Sequence, residues 1–530
     1  MNDEQVGRRS ASSGAVDPGS AWQPGDLTDE MISSDHWSDD LVASSGIPVV
    51  DVPFVSVGGG MGSFALADML RVAGLPASSI RVLGTIAKPY ETYVYLARNS
   101  QIPDNERLRS DSGSVMDNVW GWPGYAVREA FSARSPTEVI APLFQVATEP
   151  ILTDYYTPRA GQVYRSVDRE IPRIGFDSML VEGQVRMVRR RINGGYFTIL
   201  TPPSGTSATK RVAYRSTYVH LAVGYPGLRF LPDLQEYLER TNDYGRVVNA
   251  YAPHDHVYEE LNRRGGTVMV RGAGIVASRV LQRLMEDVER TGSSTKIVHL
   301  FRTYQSGKQG KSLRMRRQTR DGVALQGFNW PKAAWGGQLR DRLENAGDDE
   351  RKALFDVMGG TTVPNRKLWR KEIATARERG YYTQAVGQVT SMDSAADGTI
   401  AVEVSAKDGG QHRFDVDFVI DCTGLVAELT EHRLLNDLLT HGGAGYNLLG
   451  RLDVSPSFEV RGAENEPGHL YASGASTLGA YYAGVDSFLG LQYAALRIAD
   501  DLADKGFCRR IGPVRSVRQW IRWASGKAVD

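Results

Sequence analysis

Cysteine is nearly absent: the 530 residues hold two, Cys422 and Cys508. They form no C-x-x-C pair and belong to no metal-ligand cluster, which excludes a disulfide scaffold, a dithiol redox centre and a zinc site. No metal is expected. Net charge is absent too, 62 basic side chains balancing 62 acidic ones, so nothing in the balance calls for nucleic acid or an anionic membrane as partner. No apolar run reaches membrane-spanning length. No basic start leads into an apolar stretch, so a cytoplasmic location is the default expectation. The partner expected is a small-molecule substrate, with self-association into a homo-oligomer left open.

What is there is an ordinary soluble composition, 41% hydrophobic and 23% charged, in a chain longer than one core supports. Two or more domains are expected. Residues 1–45 are rich in Ser, Gly, Asp and Pro without apolar periodicity and read as a disordered or loosely attached arm. Beyond Val49 the pattern becomes strand, glycine turn, helix: "VPFVSV", then "GGGMGS", then "FALADMLRVAG" with apolar positions at helical spacing, ending on Gly74. A second apolar stretch, "IRVLGTI", follows. This is the β–turn–α–β order of a dinucleotide fold. The glycine pattern Gly58, Gly60, Ser63 departs from G-x-G-x-x-G at its third position.

The same order returns in "TVMVRGAGIVASRVLQRLMEDVERTGSSTKIVHLFRT", with a strand over Thr267 to Val270, then Gly272, Gly274 and Ala277 as G-x-G-x-x-A, a helix to about Arg290, and a strand from Lys296 to Phe301. Two such units are far more specific than one. The first glycine permits the tight turn, the second lets backbone approach a pyrophosphate, and a small third residue lets helix and strand pack closely. The helix N-terminus then faces the phosphate charge. Each unit is followed by a G-Q-V strand that opens an antiparallel meander, at Val185 in the first case. Each meander leads to an apolar strand ending in a small-residue turn, Ala222-Val223-Gly224 or Cys422-Thr423-Gly424.

On these residues the chain resembles, from about Val49 to Gly506, the flavoproteins with two dinucleotide-binding domains: flavin-containing monooxygenases, amine N-hydroxylases and thioredoxin-reductase-like enzymes. The resemblance implies an α/β fold of two Rossmann-like three-layer domains, the NAD(P)H domain inserted in the FAD domain. It divides the chain into 1–45 (arm), 46–255 (FAD domain, first part), 256–430 (NAD(P)H domain), 431–506 (FAD domain, closing part) and 507–530 (a basic amphipathic tail). It also implies two cofactors, FAD and NADPH. FAD would lie on Gly58, Gly59, Gly60, Met61, Gly62, Ser63, Val185 and Gly224. NADPH would lie on Gly272, Gly274, Ile275, Ala277 and Gly424. The segment "HLYASGASTLGAYYAGVDSFLGLQYAALRIADDLADKG" resembles the family's closing strand, turn and helix, which adds Gly474 and Ala475 to the flavin side.

Two departures from the family pattern stand out. Where an acid usually accepts the ribose hydroxyls of FAD, "IRVLGTIAKPYETY" offers Gly84 or Thr85, with Glu91 further along. The family's terminal G-D turn reads Gly474-Ala475. In the second unit Arg302 stands where an NAD site would place an acid, with Lys308 and Lys311 after it; positive charge there suits a 2′-phosphate, hence NADPH.

Between the units, "RLRSDSGSVMDNVWGWPGYAVREA" supplies Asn118 and Trp120 as candidates to bond and stack a flavin ring, against the plain reading of a packed surface loop. "GFNWPKAAWGG" reads as a lid or as a packing loop, and His254 and His256 as lining a domain crossover rather than holding a metal. No catalytic acid or base is assigned. The missing cysteine pair removes the disulfide-reductase branch and leaves three readings: a monooxygenase hydroxylating a small organic substrate such as an amine, a flavin-dependent dehydrogenase or reductase, and a non-catalytic nucleotide sensor that kept the fold.

Overall fold

The computed structural model describes residues 23–108, 124–148, 156–207, 209–302, 307–309, 317–319, 338–358, 367–406, 409–426 and 428–530. The first half runs β1 (Phe54–Val57), α1 (Met61–Val72), β2 (Ile80–Gly84), α2 (Glu91–Asn99), α3 (Ala160–Ile174), β3 (Leu180–Glu182), β4 (Gln184–Arg191), β5 (Tyr196–Thr201), β6 (Val212–Ser216) and β7 (Tyr218–Leu221). The second contains β8 (Val247–Asn249), α4 (Asp255–Arg264), β9 (Gly266–Arg271), α5 (Ile275–Thr291), β10 (Thr295–Phe301), α6 (Gln338–Asn345), β11 (Tyr382–Ser394), β12 (Ile400–Ala406), β13 (Gln411–Val416) and β14 (Phe418–Asp421). The chain closes with β15 (His469–Ala472), α7 (Phe488–Asp504) and α8 (Pro513–Ala524).

The first sheet has the order β15-β7-β1-β2-β3, every pairing parallel. Parallel strands need crossovers and are covered on both faces, so they read as unbroken apolar runs; β1, β7 and β15 are buried at every position. Helix α1 packs against α7 and α3 on one face, while the antiparallel meander β4-β5-β6 touches β1 and β2 on the other. The second sheet has the order β8-β14-β9-β10-β11-β12-β13; β8 through β11 pair in parallel and β11-β12-β13 form an antiparallel hairpin ladder. Because β15 returns to the first sheet after the whole second sheet is complete, the second domain is an insertion in the first. The expected α/β fold of two dinucleotide-type domains is therefore the observed one.

The two domains meet through the segment after α2. Asn99 donates to the Tyr251 carbonyl at 2.9 Å, and the buried Glu106 carboxylate binds Arg279 of α5. On the far side Glu344 of α6 accepts from Tyr493 and Arg497 of α7, each at 2.6 Å. Against the opposing cost of partial burial, these two partners and Arg340, which donates to the same carboxylate at 3.0 Å, hold the Glu344 carboxyl down at about 2.

Two expectations are corrected. Strand β8 (Val247–Asn249) pairs with β14 in the second sheet, so the second domain begins before residue 256. Residues 23–45 are not a loose arm: Trp37 is fully buried, its indole N–H donates to the Met31 carbonyl at 2.9 Å, and its ring lies 6.4 Å from that of Phe197. Strand 36–37 pairs with β4 and strand 49–51 with β6, so this segment edges the meander on both sides. The polar surroundings hid four widely spaced apolar anchors, Met31, Trp37, Val42 and Ile47, which fill the back of the meander. Residues 1–22 lie outside the described residues. At the other end, α8 is packed on the first domain, with Gln519 buried and Val529 joining the core beside Arg173.

Candidate active site

The two glycine turns open at the C-terminal ends of their sheets, where open α/β sheets bind ligands. In the first, β1 runs into Gly58, whose φ of +104° lies in the region that favours glycine. A Cβ there would come within 2.8 Å of the Ala222 carbonyl carbon, so the first turn and the Ala222-Val223-Gly224 turn touch backbone to backbone. Gly60 is the N-cap of α1 and no side chain caps the helix. The N–H groups of that first turn thus face outward as an anion site with the helix dipole behind them. Gly474, φ +79°, follows β15, and Ala475 is buried beside it. The structure brings Gly58 through Ser63, Gly224 and Gly474 to the neighbouring ends of β1, β7 and β15. Val185 lies at a bulge in β4, on the meander.

The geometry accounts for both oddities of this fingerprint. Close helix–strand packing, usually the task of the third glycine, falls here to Gly62: its Cβ would stand 2.9 Å from the Ala222 methyl and 3.2 Å from Ser473 Oγ. Ser63 is thereby free to carry a hydroxyl, which bonds Ser56 Oγ of β1 at 2.8 Å. At Gly84 a Cβ would be driven to 2.9 Å from Gly59 Cα, so no acid fits at the end of β2. Glu182, the register partner of Gly84 on β3, is exposed beside it.

The second turn follows the same plan. Gly272 has φ +118° and abuts the Cys422-Thr423-Gly424 turn, the nearest atom to its would-be Cβ being Thr423 Cγ2 at 3.2 Å. Gly274 is the N-cap of α5, again without a side-chain cap, and Ala277 is fully buried against the sheet. Ile275 opens the helix half-buried. A Cβ on Gly424 would stand 2.7 Å from Asn249 Nδ2. The Thr423 hydroxyl and N–H both bind Asp421, whose burial raises its pKa. Arg302, one residue past β10, is exposed at the sheet's C-terminal edge. Asn118 and Trp120 lie outside the described residues, as do Lys311 and the "GFNWPKAAWGG" segment. Among the described residues no cluster of His, Cys, Asp or Glu could hold a metal, and His254 is a buried neighbour of Tyr258, bonded to it at 2.9 Å.

Beneath each turn stands a buried histidine that the motifs did not point to. His220 of β7 bonds Ser56 Oγ through Nδ1 at 2.8 Å and Ser473 Oγ through Nε2 at 2.9 Å. His299 of β10 bonds the Gly272 carbonyl through Nε2 at 2.6 Å and the Tyr382 hydroxyl through Nδ1 at 2.8 Å. Burial pushes His220 down to about 3 and His299 down to about 4, so both are neutral at physiological pH. The signal was present: "VHL" interrupts an apolar strand at 219–221 and again at 298–300.

No protein-family model and no curated protein matches this chain. Solved structures do. The reduced ornithine hydroxylase of Pseudomonas aeruginosa is 14% identical over 86% of this chain and 100% of its own, with a TM-score of 0.57. The FAD-bound cadaverine monooxygenase of Erwinia amylovora is 13% identical over 86% and 94%, with a TM-score of 0.59. The ornithine N-hydroxylase of Kutzneria sp. 744, with reduced FAD, NADP+ and L-ornithine, is 14% identical over 86% and 100%, with a TM-score of 0.55. By architecture, two parallel sheets with the second domain inserted in the first, this chain has the fold of the flavin-dependent amine monooxygenases.

Proposed function

We propose that the protein is an FAD- and NADPH-dependent monooxygenase that hydroxylates a small amine. The observation that carries this reading is the pair of uncapped helix N-termini, each fed by a positive-φ glycine, at the C-terminal edges of two parallel sheets. Such a turn fits a pyrophosphate because it presents backbone donors with no side chain in the way. FAD would rest on Gly58 to Ser63, Gly224, Gly474 and Ala475, with Val185 flanking. NADPH would rest on Gly272, Gly274, Ile275, Ala277 and Gly424, with Arg302 pairing the 2′-phosphate. With Gly84 closed to any side chain, the exposed Glu182 takes the ribose hydroxyls of FAD. The amine class follows from what the three similar structures are named for, ornithine and cadaverine.

Bound FAD would supply hydride acceptance from NADPH and the activation of dioxygen. The chain's own part is to bind, orient and shield. Glu106–Arg279 and Glu344–Tyr493/Arg497 fix the two nucleotide turns relative to one another, and the buried strand ends beneath each turn keep water from its base. The test is to supply a panel of diamines and basic amino acids with NADPH and to measure oxygen uptake and hydroxylamine together. Hydroxylamine formed one-for-one with NADPH supports the proposal. NADPH oxidation that proceeds without oxygen on an organic acceptor, with no hydroxylamine, makes the protein a reductase instead.

A further inference from the structure

The four buried groups under the first turn form a directed chain. Geometry allows Ser56 only to donate to Ser63 Oγ, which spends its single proton; His220 Nδ1, bonded to Ser56 Oγ at 2.8 Å, must then be the N–H side. A neutral imidazole has one N–H, so Nε2 accepts, and the Ser473 hydroxyl donates to it at 2.9 Å. The order is fixed from end to end: Ser473 to His220 to Ser56 to Ser63. All four residues are at most 2% exposed, so water does not compete. The chain joins three separate segments: the closing turn before Gly474, the strand that ends in Ala222-Val223-Gly224, and the first turn of α1.

We propose that Ser473, His220, Ser56 and Ser63 are positioning residues that lock the closing turn to the pyrophosphate turn and so set the shape of the flavin site. This rests on the FAD reading above. It gives Ser63 a reason to stand where the fingerprint has glycine: the hydroxyl is the chain's terminal acceptor, while Gly62 supplies the close approach. Protonating His220 would add an N–H at Nε2 and turn Ser473 from donor into acceptor, so the donor order given above belongs to the neutral ring.

The test uses the full-length protein, stripped of flavin and titrated with FAD. Restoring the common glycine with Ser63→Gly is expected to weaken FAD about tenfold, the scale of one buried hydrogen bond. Ser473→Ala is expected to do the same, and the two together less than the product of the two, because they cut one chain. His220→Gln, which keeps a donor and an acceptor, retains more affinity than His220→Leu. Nitrogen-15 NMR of the histidines should show a neutral, Nδ1-protonated ring that is present in the wild type and missing from both His220 variants. Unchanged or tighter FAD binding in Ser63→Gly, or strictly multiplicative effects, overturns the proposal, as does an Nε2-protonated His220. Wild-type protein that takes up no FAD sinks the flavin reading itself, which separates the two failures. Ser63→Gly keeps the test informative should His220→Leu not fold.

Discussion

The two nucleotide turns share a backbone and differ in what stands beneath them. Under the first, His220 reaches through serine hydroxyls to a segment 253 residues away, binding the turn to the last strand of the sheet. Under the second, His299 donates directly to the Gly272 carbonyl, 27 residues away, and takes its other bond from Tyr382. Each network ties three segments of its own sheet; the first also takes in the first turn of α1 and the closing turn before Gly474 through side chains, while the second stops at Tyr382 on β11. A flavin retained through many turnovers calls for the first arrangement, and a nicotinamide cofactor that must leave after each turnover tolerates the second.

Glycine replacement should separate the turns most sharply. Gly58→Ala puts a methyl into the Ala222 carbonyl at a left-handed φ, so FAD content in purified protein is expected to fall by about 100-fold or more, or the domain to misfold. Gly272→Ala carries strain at its own left-handed φ but meets looser neighbours, Thr423 Cγ2 at 3.2 Å and the Cys422 carbonyl at 3.4 Å. It should raise the KM for NADPH while flavin content stays at the wild-type level. Equal losses in both would erase the contrast drawn here.

Acid should act on both turns with the same sign. Each histidine is depressed below its unfolded value of 6.5, to about 3 for His220 and about 4 for His299. The unfolded state therefore binds the proton first, and the stabilisation, complete above pH 6.5, is lost as pH falls toward those values. The slope is roughly 1.4 kcal/mol per pH unit for each ring. Denaturant midpoints measured from pH 7 to pH 5 should fall steadily in the wild type and less steeply in His220→Gln and in His299→Gln. Flavin release should follow only the His220 half of the loss.

Charge at the second turn offers a smaller effect. Arg302→Glu is expected to raise the KM for NADPH by about tenfold or more and to leave that for NADH nearly unchanged; equal changes would remove Arg302 from the cofactor site. Smallest of all, Glu182→Gln should weaken FAD only a few-fold, since an exposed carboxylate is screened by solvent, and FMN binding, where it can be measured, should not change.

Much of this was legible in the sequence because it is local. A positive-φ glycine, a helix with apolar spacing and a mostly apolar parallel strand each leave a mark within a few residues, and both units carry all three. What escaped was non-local. Nothing near Ser63 announces that Gly62 packs on Ala222 and Ser473, or that Gly84 is pressed against Gly59, because those neighbours arrive from other strands. Trp37 and Met31 were lost in a polar segment whose apolar residues are too far apart to show a period, although they pack together on the meander. The buried histidines could have been suspected from "VHL" in two apolar strands; their partners could not.

The central claim, that the first turn holds FAD and the second feeds it from NADPH, is tested most directly by the visible spectrum of FAD-loaded protein under anaerobic titration with NADPH. The account predicts a bound flavin band that bleaches with one equivalent of NADPH and returns on admitting air. A protein that takes up no FAD, or a bound flavin whose band NADPH leaves untouched, would contradict it.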